Sequence, residues 1–301
     1  MNNLIINVFD NCKGFAIDSS ITIISVRGKD NKSFLQGQIT NNIDNLVPDK
    51  SISACYCTHQ GKVIANLELM EIENVIYILI AKELTDNFIE KISKYILMSD
   101  VEIKIEESGD IICSIGNHAD QILKDNKCLE YKEIKEIDAN NYLINMSSSL
   151  QGCKVLRLNS DTNNFKYDDT EINYSCLLDL INLQTRLRVN NTEKYIPQVL
   201  NSDILNSVSY KKGCYTGQEI VARTHYLGNV KKHAYLITYE AADTIISIVT
   251  NEDGESVGEV IGECLIYKNK IYTHCILKDS CILHDLYISS KKVEVIKEDS
   301  L

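Results

Sequence analysis

Apolar and polar residues alternate over residues 20–27, Ser20-Ile21-Thr22-Ile23-Ile24-Ser25-Val26-Arg27, which is the period of a half-buried strand. Asp30 then reads as the cap of a short helix carrying Phe34, Leu35 and Gln38. Residues 51–58 and 62–81 predict strands around a turn at Gly61. Between Glu83 and Leu97 the period changes: Leu84, Phe88, Ile89, Ile92, Tyr95 and Ile96 recur at helical spacing, an amphipathic helix. Alternation returns at Val101, Ile103 and Ile105. The same order repeats more weakly as a strand at 111–115, a helix near 117–125 and strands near 141–146 and 153–158. A polar stretch at 159–173 leads into a helix from Tyr174 to Leu187, which carries Leu177, Leu178, Ile181 and Leu183. Beyond it, Lys270-Ile271-Tyr272-Thr273 and Lys292-Val293-Glu294-Val295-Ile296 typify short alternating runs joined by polar turns such as Asn251-Glu252-Asp253-Gly254. These predict a small antiparallel barrel over 234–301, preceded over 1–233 by helices interleaved with strand pairs, an α+β arrangement with helices on one face of each sheet.

Composition narrows the class without changing this outline. With 301 residues, 44% of them hydrophobic and 24% charged, the chain is an ordinary globular one, long enough for more than one core. No apolar run approaches the roughly 20 residues of a membrane span. The start, Met1-Asn2-Asn3-Leu4-Ile5-Ile6, has no basic segment before an apolar one and no small-residue cleavage site, so no secretory signal is expected and the expected compartment is the cytoplasm. Eleven cysteines, an odd number with no CxxC pair, fit a reducing compartment and no metal site. Cys55, Cys57 and His59 would share one face of a strand, but alternate residues on one face are what a strand supplies to its core. His274, Cys275, Cys281 and His284 lie in a similar alternating region and are read the same way.

Chemistry concentrates in Lys212-Gly213-Cys214-Tyr215-Thr216-Gly217-Gln218-Glu219, which continues into Ile220-Val221-Ala222-Arg223. Gly213 and Gly217 allow backbone angles or close approaches that a side chain forbids, so Cys214 can sit on a sharply turned loop. Lys211, Lys212 and Arg223 favour its thiolate, the form that attacks electrophiles or binds metal, if they lie near it; the plainer alternative is a tight turn around an inert, buried cysteine. Against a net charge of −11, residues 211–233 form a positive island of Lys211, Lys212, Arg223, Lys231 and Lys232 with Glu219 as the one acid. Such an island suits a small anionic ligand. The overall acidity argues against coating nucleic acid, and direct tRNA binding is not expected.

This run resembles the signature of the YgfZ family of folate-binding proteins, relatives of the glycine-cleavage T protein (the folate-dependent aminomethyltransferase) and of the mitochondrial iron-sulfur assembly factors. The likeness extends through Tyr195-Ile196-Pro197-Gln198, Val208-Ser209-Tyr210-Lys211 and Thr224 to Lys232, and near the N-terminus through Arg27-Gly28-Lys29-Asp30, Phe34 to Thr40 and Gly61 to Asn66. It covers most of residues 20–235 and implies a T-protein-like fold, two α/β subdomains around a central folate cavity with a C-terminal barrel. It also implies a folate-binding factor that supports iron-sulfur cluster assembly or repair and thereby tRNA modification. Cys214 is then the functional thiol, with Lys212, Tyr215, Gln218, Glu219 and Arg223 shaping the loop and its ligand contacts. Tetrahydrofolate or a derivative is the implied cofactor, transient contact with an iron-sulfur cluster is the implied chemistry, and assembly proteins or client enzymes are the implied partners.

Two alternatives stand beside this reading: a tetrahydrofolate-dependent aminomethyltransferase, and a non-catalytic RNA- or partner-binding module using the basic island and Tyr210, Tyr215, Tyr226 and Tyr235. The transferase places an aspartate in an Asn-Asp-Asp context, which this chain lacks. Two further departures concern the pocket. Tryptophans that line it in many relatives are absent, with Ile21 and Leu178 near their places. A helix motif reading Glu-Ala-Gly in relatives is here Gln184-Thr185-Arg186, so Gln184 would read a pterin edge as a neutral amide.

Overall fold

A computed structural model describes residues 11–147, 151–159, 165–170, 172–241 and 247–296. The N-terminal residues read above for a signal, and the polar run 160–164, lie outside the described residues. In chain order the strands are β1 Ala16–Ile17, β2 Ile21–Arg27, β3 Ile52–Cys57, β4 Val63–Ile72, β5 Val75–Ala81, β6 Glu102–Ile105, β7 Asp110–Ile115 and β8 Ile134–Asp138. They continue as β9 Asn141–Asn145, β10 Gly152–Arg157, β11 Lys232–Glu240, β12 Ile248–Thr250, β13 Ser256–Tyr267, β14 Lys270–Lys278, β15 Leu286–Ile288 and β16 Lys291–Ile296. The helices are α1 Asn31–Gln36, α2 Thr85–Ser93, α3 Gly116–Asp125, α4 Tyr174–Ile181 and α5 Gln218–Leu227.

Two five-stranded antiparallel sheets, ordered β3-β4-β5-β2-β6 and β1-β7-β10-β9-β8, stand face to face, and a six-stranded barrel closes in the order β11-β14-β13-β12-β15-β16. Alternation explains the layering. Ile24, Val26, Ile76 and Ile78 on one side of the first sheet pack with Phe34, Leu35, Phe88 and Ile92 of α1 and α2. On the other side, Ile23, Met70, Tyr77 and Leu79 meet Ile111, Cys113, Ile144 and Leu156 of the second sheet across α4, every residue of which is buried. The outer face of the second sheet is covered by Ala119 and Leu123 of α3.

Three expectations need correction. Residues 62–81 are two strands, because Glu73 and Asn74 take left-handed backbone (φ 49° and 67°) and form the tight hairpin turn. Asp30 stands ahead of α1 without capping it; its carboxylate instead accepts the Asp100 amide at 2.8 Å. The helix from Tyr174 stops at Ile181 rather than Leu187, because Leu183 turns left-handed (φ 52°) and Gln184 N donates to Asp179 O at 2.8 Å, a Schellman closure. That reversal carries Gln184, Thr185 and Arg186 into the space between the sheets. The barrel closes against the same segment: Gly262 (φ +72°) bulges β13 where an added Cβ would lie 3.0 Å from the Arg186 carbonyl.

Candidate functional site

The signature loop is held by backbone. Gly217 precedes α5 with φ +85°, and a Cβ there would sit 2.4 Å from Thr58 O and 2.9 Å from Gly61 Cα. Gly61 is itself left-handed (φ +69°) in the β3–β4 turn, so two glycines let the signature loop touch that turn with no side chain between. Gly213 has open space where its Cβ would be and no left-handed backbone, so the freedom expected of it is not required.

Lys212 points inward. Its Nζ donates to Ile39 O at 2.8 Å and Asn41 O at 2.7 Å and lies 5.1 Å from the Tyr215 ring centre. Burial lowers its pKa to about 8, with Asp44 partly opposing. Tyr215 is buried beneath the loop, and burial, with Cys57 nearby, raises its hydroxyl pKa. Gln218 Nε2 closes the loop on Gly213 O at 3.4 Å, and Gln198 Nε2 braces α5 through Val221 O at 2.7 Å. Glu219 and Arg223 are exposed on α5. Of the eleven cysteines, Cys214 alone is exposed; eight are buried, and Cys264 and Cys281 are intermediate. Cys214 is therefore not a buried cysteine.

Cys55 and Cys57 are buried in β3, while His59 Nε2 meets the Tyr95 hydroxyl at 3.0 Å. Among the described residues no three His, Cys, Asp or Glu side chains gather in ligating geometry.

Between the sheets lies a second concentration of polar groups that the sequence did not flag. Arg186 pairs with Asp18 (3.2 Å) and Asp179, Lys154 lies 3.5 Å from Asp179 and 4.0 Å from Glu68, and Lys132 lies 3.9 Å from Glu68. Burial disfavours charge on Glu68, but Lys132 and Lys154 outweigh it and hold the carboxyl below its usual pKa; Arg186 does the same for Asp18. The signal was present as charge in apolar runs, Lys154 in Gly152-Cys153-Lys154-Val155-Leu156 and Asp179 in Leu177-Leu178-Asp179-Leu180-Ile181.

Glu68, Lys154, Asp179, Gln184 and Arg186 line an inner cavity of about 40 Å³, room for a few waters. On the far side of Lys132 opens an outer pocket of about 570 Å³ lined by Asn41, Lys50, Ser51, Ser53, Tyr131 and Lys132, a volume in the range of ligand sites. The hydroxyl of Tyr131 feels Glu68, Lys154 and Asp179, so this residue joins the two spaces, and Asn41 joins the outer one to Lys212. The inner cavity does not admit a pterin ring, but the outer pocket has the size, an aromatic ring and, in Lys50, an accessible cation that suit a folate with its carboxylates. Of the expected cofactor contacts, Gln184 lines the inner cavity, whereas Lys212, Tyr215, Gln218, Glu219 and Arg223 line neither space.

No protein-family model matches the chain. A protein of Vibrio atlanticus named tRNA-modifying protein YgfZ is 30% identical over 247 residues, which is 80% of this chain and 73% of that protein. Its namesake in Hamiltonella defensa is 28% identical over 271 residues, 85% of this chain and 80% of the relative. Among solved structures, the glycine cleavage system aminomethyltransferase T of Bartonella henselae superposes with a TM-score of 0.72 at 11% identity, covering 96% of this chain and 86% of the other, so the two share a fold. Identity spread over most of both chains, the shared fold and the outward thiol on its glycine-docked loop lead to one conclusion: the chain belongs to the YgfZ family.

Proposed function

We propose that the chain supports iron-sulfur cluster assembly or repair, and through cluster-dependent enzymes the modification of tRNA, with the Cys214 thiol as its reacting group. The observation that carries this is the isolation of one exposed thiol among eleven, on a loop fixed by the Gly217–Gly61 contact and the two Lys212 hydrogen bonds. A thiol so held is reachable by iron or by an electrophile while the loop beneath it keeps its shape. The tRNA part rests on the name that the Vibrio and Hamiltonella relatives bear.

The likeness of fold to an aminomethyltransferase supports folate as the cofactor. Tyr131 would flank its ring and Lys50 would take a carboxylate in the outer pocket, whereas Lys132, which also lines it, is held by Ser53 and Glu68. When bound, a reduced folate supplies a one-carbon unit. An accessory role fits better than transfer, because Glu68 and Asp179, the acids facing the inner cavity, are already paired with lysine and arginine.

The test is complementation. In a strain lacking this gene, Cys214→Ala is expected to lose cluster-dependent tRNA nucleoside modification, read by mass spectrometry, while Cys264→Ala retains it. Full rescue by Cys214→Ala removes the thiol from the function. Calorimetry with tetrahydrofolate is expected to show saturable binding that Lys50→Met weakens, and absence of binding to the wild type removes the folate part.

A further inference from the structure

A third concavity, of about 570 Å³, lies beyond the C-terminal half of α5, where that helix, the β3–β4 turn and the barrel meet. Five lysines from four segments line it: Lys62, Lys194, the adjacent Lys231 and Lys232, and Lys278. Lys194 is partnered by Glu259 at 3.7 Å, and Lys232 lies 5.4 Å from the Tyr195 ring centre. Among the described residues no ion pair reaches Lys62, Lys231, Lys232 or Lys278. The nearby acid Asp279 is engaged by His233 at 2.8 Å and Tyr235 at 3.0 Å.

This arrangement works against the fold. Lys232 and Lys278 stand directly opposite each other in the β11–β14 ladder, and like charges in that position destabilise a sheet. The whole chain carries −11, so lysine excess is a local property of this groove. In the linear sequence residues 211–233 form a positive island. Folding splits it: Lys212 turns inward to carbonyls, while Lys231 and Lys232 join Lys62, Lys194 and Lys278 from elsewhere. No arginine lines the groove, so it offers spaced point charges rather than a planar fork for one carboxylate.

We propose that this groove binds the phosphodiester backbone of RNA and lays it alongside α5, whose other end carries the Cys214 loop. Gln218 and Thr224 are separated by roughly 9 Å along a helix rising 1.5 Å per residue, so a strand in the groove passes within a few nucleotides of the thiol. The acidity that argues against RNA contact in the linear sequence does not apply to a surface from which acids are excluded or engaged. The inference rests on the tRNA reading above for its choice of partner. With Tyr195 buried against Lys232, the groove reads phosphate and not base, and the complex depends on salt more than on sequence.

The experiment is fluorescence anisotropy of the full chain with an unmodified tRNA transcript between about 50 and 200 mM salt. Saturable binding is expected, with log affinity against log salt falling at a slope of about −3 for four unpaired lysines. Lys62→Gln with Lys278→Gln should weaken binding about tenfold or more and flatten the slope by about 1.5. Lys291→Gln, at a barrel lysine paired with Glu240, should change neither. Both lysines of the double variant are outside the cores, and an unchanged melting curve confirms that it is folded. Absence of saturable binding by the wild type, or a double variant with the wild-type slope, overturns the proposal. So does inorganic tripolyphosphate that displaces the transcript at equal phosphate concentration, which would assign the groove to a small anion. Cys214→Ala should bind the transcript as the wild type does, so loss of complementation and loss of RNA binding report on separate readings.

Discussion

The signature loop and the space between the sheets place charge and reactivity in opposite ways. The loop is shaped by backbone, through a glycine-to-glycine contact and carbonyls that accept from Lys212, and it leaves the Cys214 thiol in solvent. Between the sheets the shape is set by side-chain ions, Glu68, Lys132, Lys154, Asp179, Arg186 and Asp18, nearly all out of water and with room for only a few waters among them. The loop keeps its shape through backbone contact and a few side-chain hydrogen bonds, whereas each buried charge between the sheets depends on its partners remaining in place. The two regions should therefore fail differently.

The largest effect is expected in the buried network. Glu68→Ala leaves Lys132 and Lys154 facing each other without their shared carboxylate and should cost about 3–5 kcal/mol in denaturant unfolding. The milder Glu68→Gln should also flatten the acid limb of stability. Because the folded-state pKa of Glu68 is depressed, its contribution is complete above the ordinary glutamate value and is lost as pH falls through the folded one. If unfolding midpoints across acid pH are the same for both proteins, the network is not the element that joins the sheets.

In the loop the comparable position is Gly217. An alanine there meets Thr58 O at 2.4 Å in a left-handed conformation, and a loss of about 3 kcal/mol is expected by thermal or urea unfolding. Hydrogen exchange should localise the loosening to α5 and the β3–β4 turn.

The signature, the barrel and the amphipathic α2 were legible because each rests on local pattern: glycine spacing, short alternation, helical period. The inter-sheet ions were not, since Lys154 and Asp179 read as isolated polar residues in apolar runs and gain meaning only when β10 and α4 converge. The end of α4 was missed because Leu183 takes a left-handed conformation usually left to glycine or asparagine. The lysine groove was invisible for the same reason as the ions: its members come from segments as distant as residues 62 and 278.

Lys212 sits between the two regions in character, a charge used to fix backbone. Lys212→Met removes the donor from Ile39 O and Asn41 O and should cost about 1–2 kcal/mol. The pH dependence has a definite sign. The folded pKa of about 8 lies below the usual 10.5, so between those values the unfolded chain binds more protons and the lysine's contribution to stability rises with pH. The stability difference between wild type and Lys212→Met should grow from neutral to alkaline pH; a difference that shrinks would mean that the charged amine is the stabilising form.

The smallest effects belong to the exposed tip, and they separate shape from chemistry most sharply. Cys214 is in solvent and Gly213 has open space around its Cβ, so Cys214→Ala and Gly213→Ala should each change stability by no more than about 0.5 kcal/mol. Differential scanning calorimetry of the three proteins side by side measures this directly. A loss of several kcal/mol in Cys214→Ala would make the thiol a packing group and erase the contrast between the regions. An unchanged melting transition together with lost complementation would leave reactivity as the one property that Cys214 contributes.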